Sequence, residues 1–271
     1  MRDAAQRLTA AGVPGPRVDA ELLLAAVLNV TRTRLVTVDD VPAAAAARYG
    51  EYVARRAARE PLQHITGQAP FRRLVLAVGA GVFVPRPETE LLVDAVLPHL
   101  RELDVAVVVD LCAGSGALAL ALADEVPGAA VTAVERAEPA LGWLRRNAAG
   151  TQVWVADGDV RDPDLLVELH GRVDAVVSNP PYVPQAVPVA PEVRADPDEA
   201  VFAGPDGLGL IPDVIARAAA LLKPGGVLAL EHDESHGAAV PDLLRRGREW
   251  TGVADHPDLT GRPRYATAVR R

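Results

Sequence analysis

The plainest chemistry in the chain lies in the pentapeptide Ser178-Asn179-Pro180-Pro181-Tyr182. It follows an apolar run, Val173-Asp174-Ala175-Val176-Val177, that reads as a buried strand ending in a stiff loop. Two prolines remove two backbone donors and fix two φ angles, so the loop cannot relax into helix or sheet. Asn179 precedes a proline and is pushed towards extended geometry. Its side chain offers one carbonyl acceptor and one NH₂ donor. The carbonyls of Asn179 and Pro180 can project together, with Tyr182 as a flat wall beside them. Such a site accepts both hydrogens of a planar –NH₂ group. A proline-rich surface turn would use the same residue types, so the elements upstream have to separate the two readings.

Those elements read as alternating strands and helices. Val105 to Asp110 is a buried strand by composition, followed by Leu111-Cys112-Ala113-Gly114-Ser115-Gly116 and the helical Ala117 to Ala123. Strand, glycine turn, helix is the arrangement in which backbone N–H groups approach a ligand closely. A second strand, Ala130 to Val134, ends at Glu135, 25 residues after Asp110. A carboxylate there can accept from two ribose hydroxyls. The third glycine of the dinucleotide fingerprint is replaced by Ala119. That favours a nucleoside cofactor without a pyrophosphate, such as S-adenosylmethionine. After a helix over Pro139–Ala149 and a strand over Gln152–Ala156 comes Asp157-Gly158-Asp159. Asp159 is a candidate acceptor for an adenine amino group, with Val160 packing on the ring; an ordinary Asp-Gly turn is the competing account. Asp110, Glu135, Asp159 and Asn179 thus fall at four strand ends on one edge, where open parallel sheets bind their ligands.

Other segments carry weaker signals. Arg86 lies between Pro85 and Pro87, and Glu88, Thr89 and Glu90 follow at the start of an apolar helix, Leu91 to Leu100. Capping accounts for the acids and for Thr89. It leaves Arg86 as either a structural clamp or a guanidinium held for substrate. Residues 183–209 form a long loop rich in proline and acids, suited to a lid or docking loop. Leu210–Leu222 reads as a helix stopped by Lys223-Pro224-Gly225-Gly226, Val227–Glu231 as a strand, and Arg264–Val269 as a last, antiparallel one. His232 and His236 leave a strand rather than ride a helix, and no metal site is expected from them.

Upstream, residues 1–67 show only helical periodicity, over Ala4–Ala11, Asp19–Val30 and Pro42–Glu60. Glu51 precedes Arg55 by four residues and is expected to pair with it. Arg55, Arg56 and Arg59 read as a solvated helix face, with docking of an acidic partner as the alternative. Phe71 to Val84 alternates around Gly79-Ala80-Gly81 and predicts a β-hairpin joining two domains. The expected division is a helical domain over 1–70, a hairpin linker over 71–85 and an α/β domain over 86–271.

Composition limits the rest. The chain has 271 residues, 49% hydrophobic and 24% charged, which is globular. A formal net charge of −8 argues against general affinity for nucleic acid, although the loop chemistry would also suit an adenine amino group. Cys112 is the sole cysteine, so neither an internal disulfide nor a thiolate cluster can form. No stretch is long enough for a membrane span and no apolar signal core opens the chain. A cytoplasmic monomer is expected.

These residues together resemble the peptide chain release factor N(5)-glutamine methyltransferases. The resemblance runs through Glu60-Pro61-Leu62, Pro85 to Glu90, Asp110 to Gly116, Ser178 to Tyr182, Ala203 to Leu208 and Asp258-Leu259-Thr260-Gly261-Arg262. It implies an α/β fold, a seven-stranded Rossmann-like methyltransferase sheet with helices on both faces, preceded by a helical domain that engages the release factor. It implies S-adenosylmethionine held by Asp110, Cys112, Ala113, Gly114, Ser115, Gly116, Glu135, Asp159, Val160 and Asn179, with S-adenosylhomocysteine as product. Asn179, Pro180, Pro181 and Tyr182, with Arg86 and Glu88, would hold the glutamine, and Asn179, Pro180 and Tyr182 would serve the transfer. The turn reads Cys112-Ala113 where the family pattern has Gly-Thr, and the glycine and glutamine usual after Glu231 are replaced by His232 to His236. A ribosomal-protein glutamine or a nucleic-acid adenine remains the alternative acceptor.

Overall fold

The computed structural model describes residues 1–271. Two compact units emerge, one of Met1–Gln68 with Val78–Ala80 and Val189–Asp196, the other of Ala69–Ala77, Gly81–Pro188 and Pro197–Arg271. The first is helical: α1 (Arg2–Ala10), α2 (Pro16–Leu28), α3 (Ala43–Ala57) and α4 (Leu62–Thr66). Its core is the set of apolar faces that helical spacing brings together, with Leu8, Leu23 and Val53 almost wholly buried.

Of the three arginines, Arg55 stays exposed, whereas Arg56 and Arg59 are not part of a solvated face. Arg56 is only 5% exposed. Its Nε donates to Asp19 at 2.7 Å and its Nη1 to Glu192 at 2.8 Å. Arg59 grips both oxygens of Glu192, at 2.7 and 2.8 Å. Glu192 belongs to the proline-rich stretch, so the acidic partner of these arginines is a segment of the same chain. Arg55 pairs with Glu60 at 2.8 Å rather than with Glu51, because the chain turns back past the helix end, where Arg59 takes a positive φ.

The hairpin is displaced from its expected position. Its strands are β1 (Gln68–Phe71) and β2 (Leu74–Ala77), joined through Arg72 and Arg73. Gly79–Ala80–Gly81, the expected turn, belongs to no strand. Arg72 provides the turn geometry, with φ of 53°. Glu90 accepts its backbone N–H at 2.8 Å, and Glu125 receives its guanidinium through two bonds of 2.7 and 2.8 Å. Tertiary partners therefore hold an arginine where a glycine or asparagine would turn by itself.

The second unit carries a seven-stranded sheet with helices. Its elements are α5 (Glu90–Leu100), β3 (Val107–Leu111), α6 (Ala117–Glu125), β4 (Ala130–Glu135), α7 (Glu138–Ala148), β5 (Trp154–Asp157), β6 (Val173–Ser178), α8 (Asp198–Val201), α9 (Ile211–Leu221), β7 (Leu222–Glu231), α10 (Ala239–Arg246), β8 (Trp250–Pro257) and β9 (Pro263–Arg270). The strand order is β5-β4-β3-β6-β7-β9-β8. Strands β3 to β7 run parallel, while β9 is antiparallel to β7 and β8. Right-handed crossovers that step outward from β3 through α6 and α7, then return for β6, α9 and β7, put helices on opposite faces. The order reverses between β3 and β6, which opens a crevice at their carboxyl ends. Strand β8 was not expected; a glycine, an aspartate, a histidine and a proline break its pattern, as an edge strand tolerates. The Lys223-Pro224-Gly225-Gly226 stop lies within β7, not before it.

Candidate functional site

A cavity of about 390 Å³ lies at those carboxyl ends, within the second unit. Asp110, Glu135, Asp159 and Asn179 all line it, as do Cys112, Ala113, Gly114, Ser115 and Val160. The sheet register explains the convergence. Asp110 pairs with Ala133 on one side and Val177 on the other, so the three strands finish level.

Asp110 is buried against the first turn of α6. Its Oδ2 accepts the Ala119 N–H at 3.1 Å, one of the donors that a helix start leaves without an internal partner. Its Oδ1 and the Ser115 hydroxyl are buried with no hydrogen-bond partner. Burial pushes the Asp110 carboxyl well above the ordinary aspartate range. Beside it Gly114, at φ of 56°, has no atom within 4 Å of where a Cβ would stand. Gly116, at φ of 89°, would put a Cβ 2.6 Å from Leu144. Of the two, Gly114 borders open space and Gly116 serves packing. Cys112 also lies in the left-handed region, with φ of 63°, which gives the physical reason for a glycine at this place in the family pattern. Burial drives its thiol far up from the usual range.

Glu135 is held by the backbone. Its Oε2 accepts the Gly114 N–H at 2.9 Å, and its Oε1 accepts the N–H groups of Arg136 and Ala137, both at 2.8 Å. Of the roughly four acceptor sites of a carboxylate, three are filled, and the open one is on Oε2. One acceptor site thus faces the two ribose hydroxyls that the sequence reading assigned to this carboxylate. Asp159 accepts the Arg161 N–H at 2.9 Å and stands 3.5 Å from the Arg136 guanidinium, which also reaches Glu199 at 3.1 Å.

The Asn-Pro-Pro-Tyr loop divides its residues. Asn179 and Pro181 line the cavity, whereas Pro180 and Tyr182 do not. The carboxamide Nδ2 of Asn179 donates to Thr89 Oγ1 at 3.0 Å, which leaves Oδ1 free of that bond. Thr89, read from sequence as a helix cap, makes no capping bond. The Tyr182 hydroxyl donates to Glu231 Oε1 at 2.7 Å. Glu231 is buried, and burial raises its carboxyl above the ordinary glutamate range, with the Thr89 hydroxyl, Tyr182 and the Arg264 charge opposing that rise. Thr89, Glu231 and Arg264 had no part in the sequence reading of the site. The guanidinium of Arg86 lies 4.8 Å from the Phe83 ring centroid; Phe83 and Pro85 line the cavity, while Arg86 and the exposed Glu88 do not. His232 donates towards Asp255 at 2.9 Å and His236 towards the Asp206 carbonyl at 2.8 Å.

Residues 1–67 match the PrmC N-terminal domain, and residues 77–193 match the methyltransferase small domain. A release factor glutamine methyltransferase of Streptomyces coelicolor is 54% identical over 99% of this chain and 96% of its own length. The chain belongs to the release factor glutamine methyltransferase family. Members from Mycolicibacterium smegmatis, at 51% over 97% of this chain and 94% of the relative, and from Deinococcus radiodurans, at 43% over 100% and 97%, bear the same name. Among solved structures, the Thermus thermophilus 16S rRNA N2 G1207 methyltransferase in complex with AdoMet and guanosine aligns with a TM-score of 0.52 and 23% identity, covering 75% of this chain and 50% of that one. The Encephalitozoon cuniculi Mtq2-Trm112 complex, described as responsible for methylation of the termination factor eRF1, aligns at 0.50 and 20%, covering 70% and 99%. At these identities the two structures attest the methyltransferase fold of the family.

Proposed function

We propose that the chain methylates the side-chain amide nitrogen of a glutamine in peptide chain release factors, and that Asn179 and Pro180 hold the amide. The observation that carries the residue roles is the Asn179 carboxamide, fixed through Nδ2 and lining the cavity that Asp110 and Glu135 share. S-adenosylmethionine suits that cavity and supplies, when bound, an electrophilic methyl group on a sulfonium. The buried, unpartnered Asp110 Oδ1 fits its ammonium, Glu135 Oε2 fits a ribose hydroxyl, and Asp159 with Val160 fits the adenine. An amide nitrogen is a poor nucleophile because its lone pair is delocalised into the carbonyl. Asn179 Oδ1 and the Pro180 carbonyl accept its two hydrogens and aim the nitrogen; such positioning supplies several kcal/mol, up to about 7–11 in the best cases. Pro181 walls the amide, Tyr182 braces the loop from behind, and the proton leaves after transfer. Arg86 and Glu88, outside the cavity, meet the backbone around the glutamine, and the helical domain over 1–70 engages the body of the factor.

Release factor and duplex DNA, each incubated with radiolabelled S-adenosylmethionine, form the test. Label is expected on the glutamine of the factor and absent from DNA. Asn179→Ala should abolish transfer while cofactor affinity, measured by calorimetry, stays within about threefold, since one lost hydrogen-bond acceptor for the substrate leaves the cofactor contacts in place. Full activity in that variant would falsify the role given to Asn179. No helix in the chain is long and apolar enough to cross a membrane.

A further inference from the structure

The loop that follows β5 borders the cavity through Gly158, Asp159, Val160 and Arg161. Two turn bonds start it: the Arg161 N–H meets Asp159 Oδ1 at 2.9 Å, and the Asp162 N–H meets the Asp159 carbonyl at 3.0 Å. The carbonyls of Val160, Asp162 and Pro163 turn towards α9, where Arg217 donates to all of them. Its Nε reaches Val160 at 3.4 Å, its Nη1 reaches Pro163 at 3.0 Å, and its Nη2 reaches Asp162. Nη1 also stands 3.3 Å from His170 Nε2, which accepts, because a guanidinium only donates. Arg217 is 7% exposed. Around it Ile211, Val214, Ala218 and Leu221 bury α9 in the core of the unit. One turn earlier, Asp213 accepts the Arg161 Nε at 3.2 Å. Helix α9 therefore holds this loop at an outer point through Asp213 and a buried one through Arg217.

We infer that Arg217 is a positioning residue for the nucleobase end of the cofactor: through the loop carbonyls it aims the Asp159 carboxylate at the adenine amino group. Removing a cation from water is costly, and a fold tolerates it where the donors find acceptors. Packing alone would be met by an apolar side chain like those beside it. Arginine instead brings a rigid planar fork, which fixes several acceptors relative to one another. The Val160 carbonyl and the Arg161 N–H belong to one planar trans peptide and point in opposite directions. Holding the carbonyl at Arg217 therefore aims the N–H at Asp159 Oδ1. That oxygen is then committed to the loop. Oδ2 remains for the amino group, 3.5 Å from the Arg136 guanidinium.

This inference rests on Asp159 as the acceptor for adenine, and one set of titrations separates the two. S-adenosylhomocysteine carries the amino group; in S-inosylhomocysteine a carbonyl oxygen replaces it. By calorimetry, the wild-type protein should bind the first about tenfold or more tightly than the second, the worth of a hydrogen bond to a charged group. Arg217→Met keeps an apolar stem and removes the donors. It should weaken S-adenosylhomocysteine by about tenfold and leave S-inosylhomocysteine within about threefold, so the preference collapses. KM for the release factor at saturating S-adenosylmethionine should stay within about threefold. An arginine that only supports the fold would weaken both ligands alike. Should Arg217→Met fail to fold, as judged by its melting temperature, Arg217→Lys is read by the same ratio, since it keeps charge and stem but lacks the fork. A preference kept within about twofold of the wild-type value, as equal weakening of both ligands would give, overturns the inference and leaves Asp159 its role. Absence of any preference in the wild-type protein sinks both.

Discussion

Glu135 Oε2 accepts the Gly114 N–H at 2.9 Å, tying the end of β4 to the glycine turn after β3. The carboxylate proposed for a ribose hydroxyl is therefore also the brace that shapes the turn. Glu135→Gln keeps the volume but sets an NH₂ group against backbone donors on one side or the other. Cofactor affinity should fall by about tenfold or more, the size expected from losing a hydrogen bond to a charged group. The melting temperature should fall with it. Calorimetric titration with S-adenosylmethionine and a thermal melt check the two effects separately.

The two glycines of the turn should fail differently. Gly116→Ala drives a methyl into Leu144 in a well-packed region and should destabilise the fold by about 1–3 kcal/mol. Gly114→Ala meets no atom and carries mainly the left-handed backbone penalty, about 1–2 kcal/mol. Its methyl borders the cavity, so cofactor affinity should drop more than stability. Urea denaturation beside cofactor titration distinguishes them.

Cys112 occupies a backbone region that disfavours a Cβ. Cys112→Gly should leave stability unchanged or raise it by about 0.5–1 kcal/mol, as relieved strain exceeds the added chain entropy. In the native protein the half-buried thiol, pushed far above its usual range, stays protonated at pH 8. Alkylation by iodoacetamide should then be slow until denaturant is added, which mass spectrometry can follow.

The Glu192 clasp predicts an acid limb for the helical unit. The Arg59 guanidinium, with Arg56, holds the Glu192 carboxyl down from 4.5 to about 2. A lowered carboxyl stabilises the folded state when ionised, so its contribution is complete above pH 4.5 and is lost as pH falls towards 2. Glu192→Gln should destabilise the unit at neutral pH and flatten its stability over that window. Hydrogen-exchange protection of α3 in the full chain, compared at pH 7 and pH 3, reads both effects.

Local sequence determined the strand-turn-helix alternation, the glycine turn and the four polar strand ends. Each depends on neighbours a few residues apart, through burial period, proline stiffness and helix-stop residues. The stiff loop and the spacing from Asp110 to Glu135 were legible for the same reason. What escaped was set by partners remote in the chain. Thr89 meets Asn179 across 90 positions, Tyr182 meets Glu231 across 49, and Arg59 meets Glu192 across 133. A threonine before a helix looks like a cap, an arginine run looks like a wet surface, and Arg72-Arg73 does not look like a turn. The packed sheet, by bringing β6 beside β7 and the hairpin beside Glu90 and Glu125, gave Tyr182 and Arg72 their partners, and within the helical unit the segment carrying Glu192 gave Arg56 and Arg59 theirs. Burial then decided their roles, because a polar group removed from water takes whichever partner the fold has brought within reach.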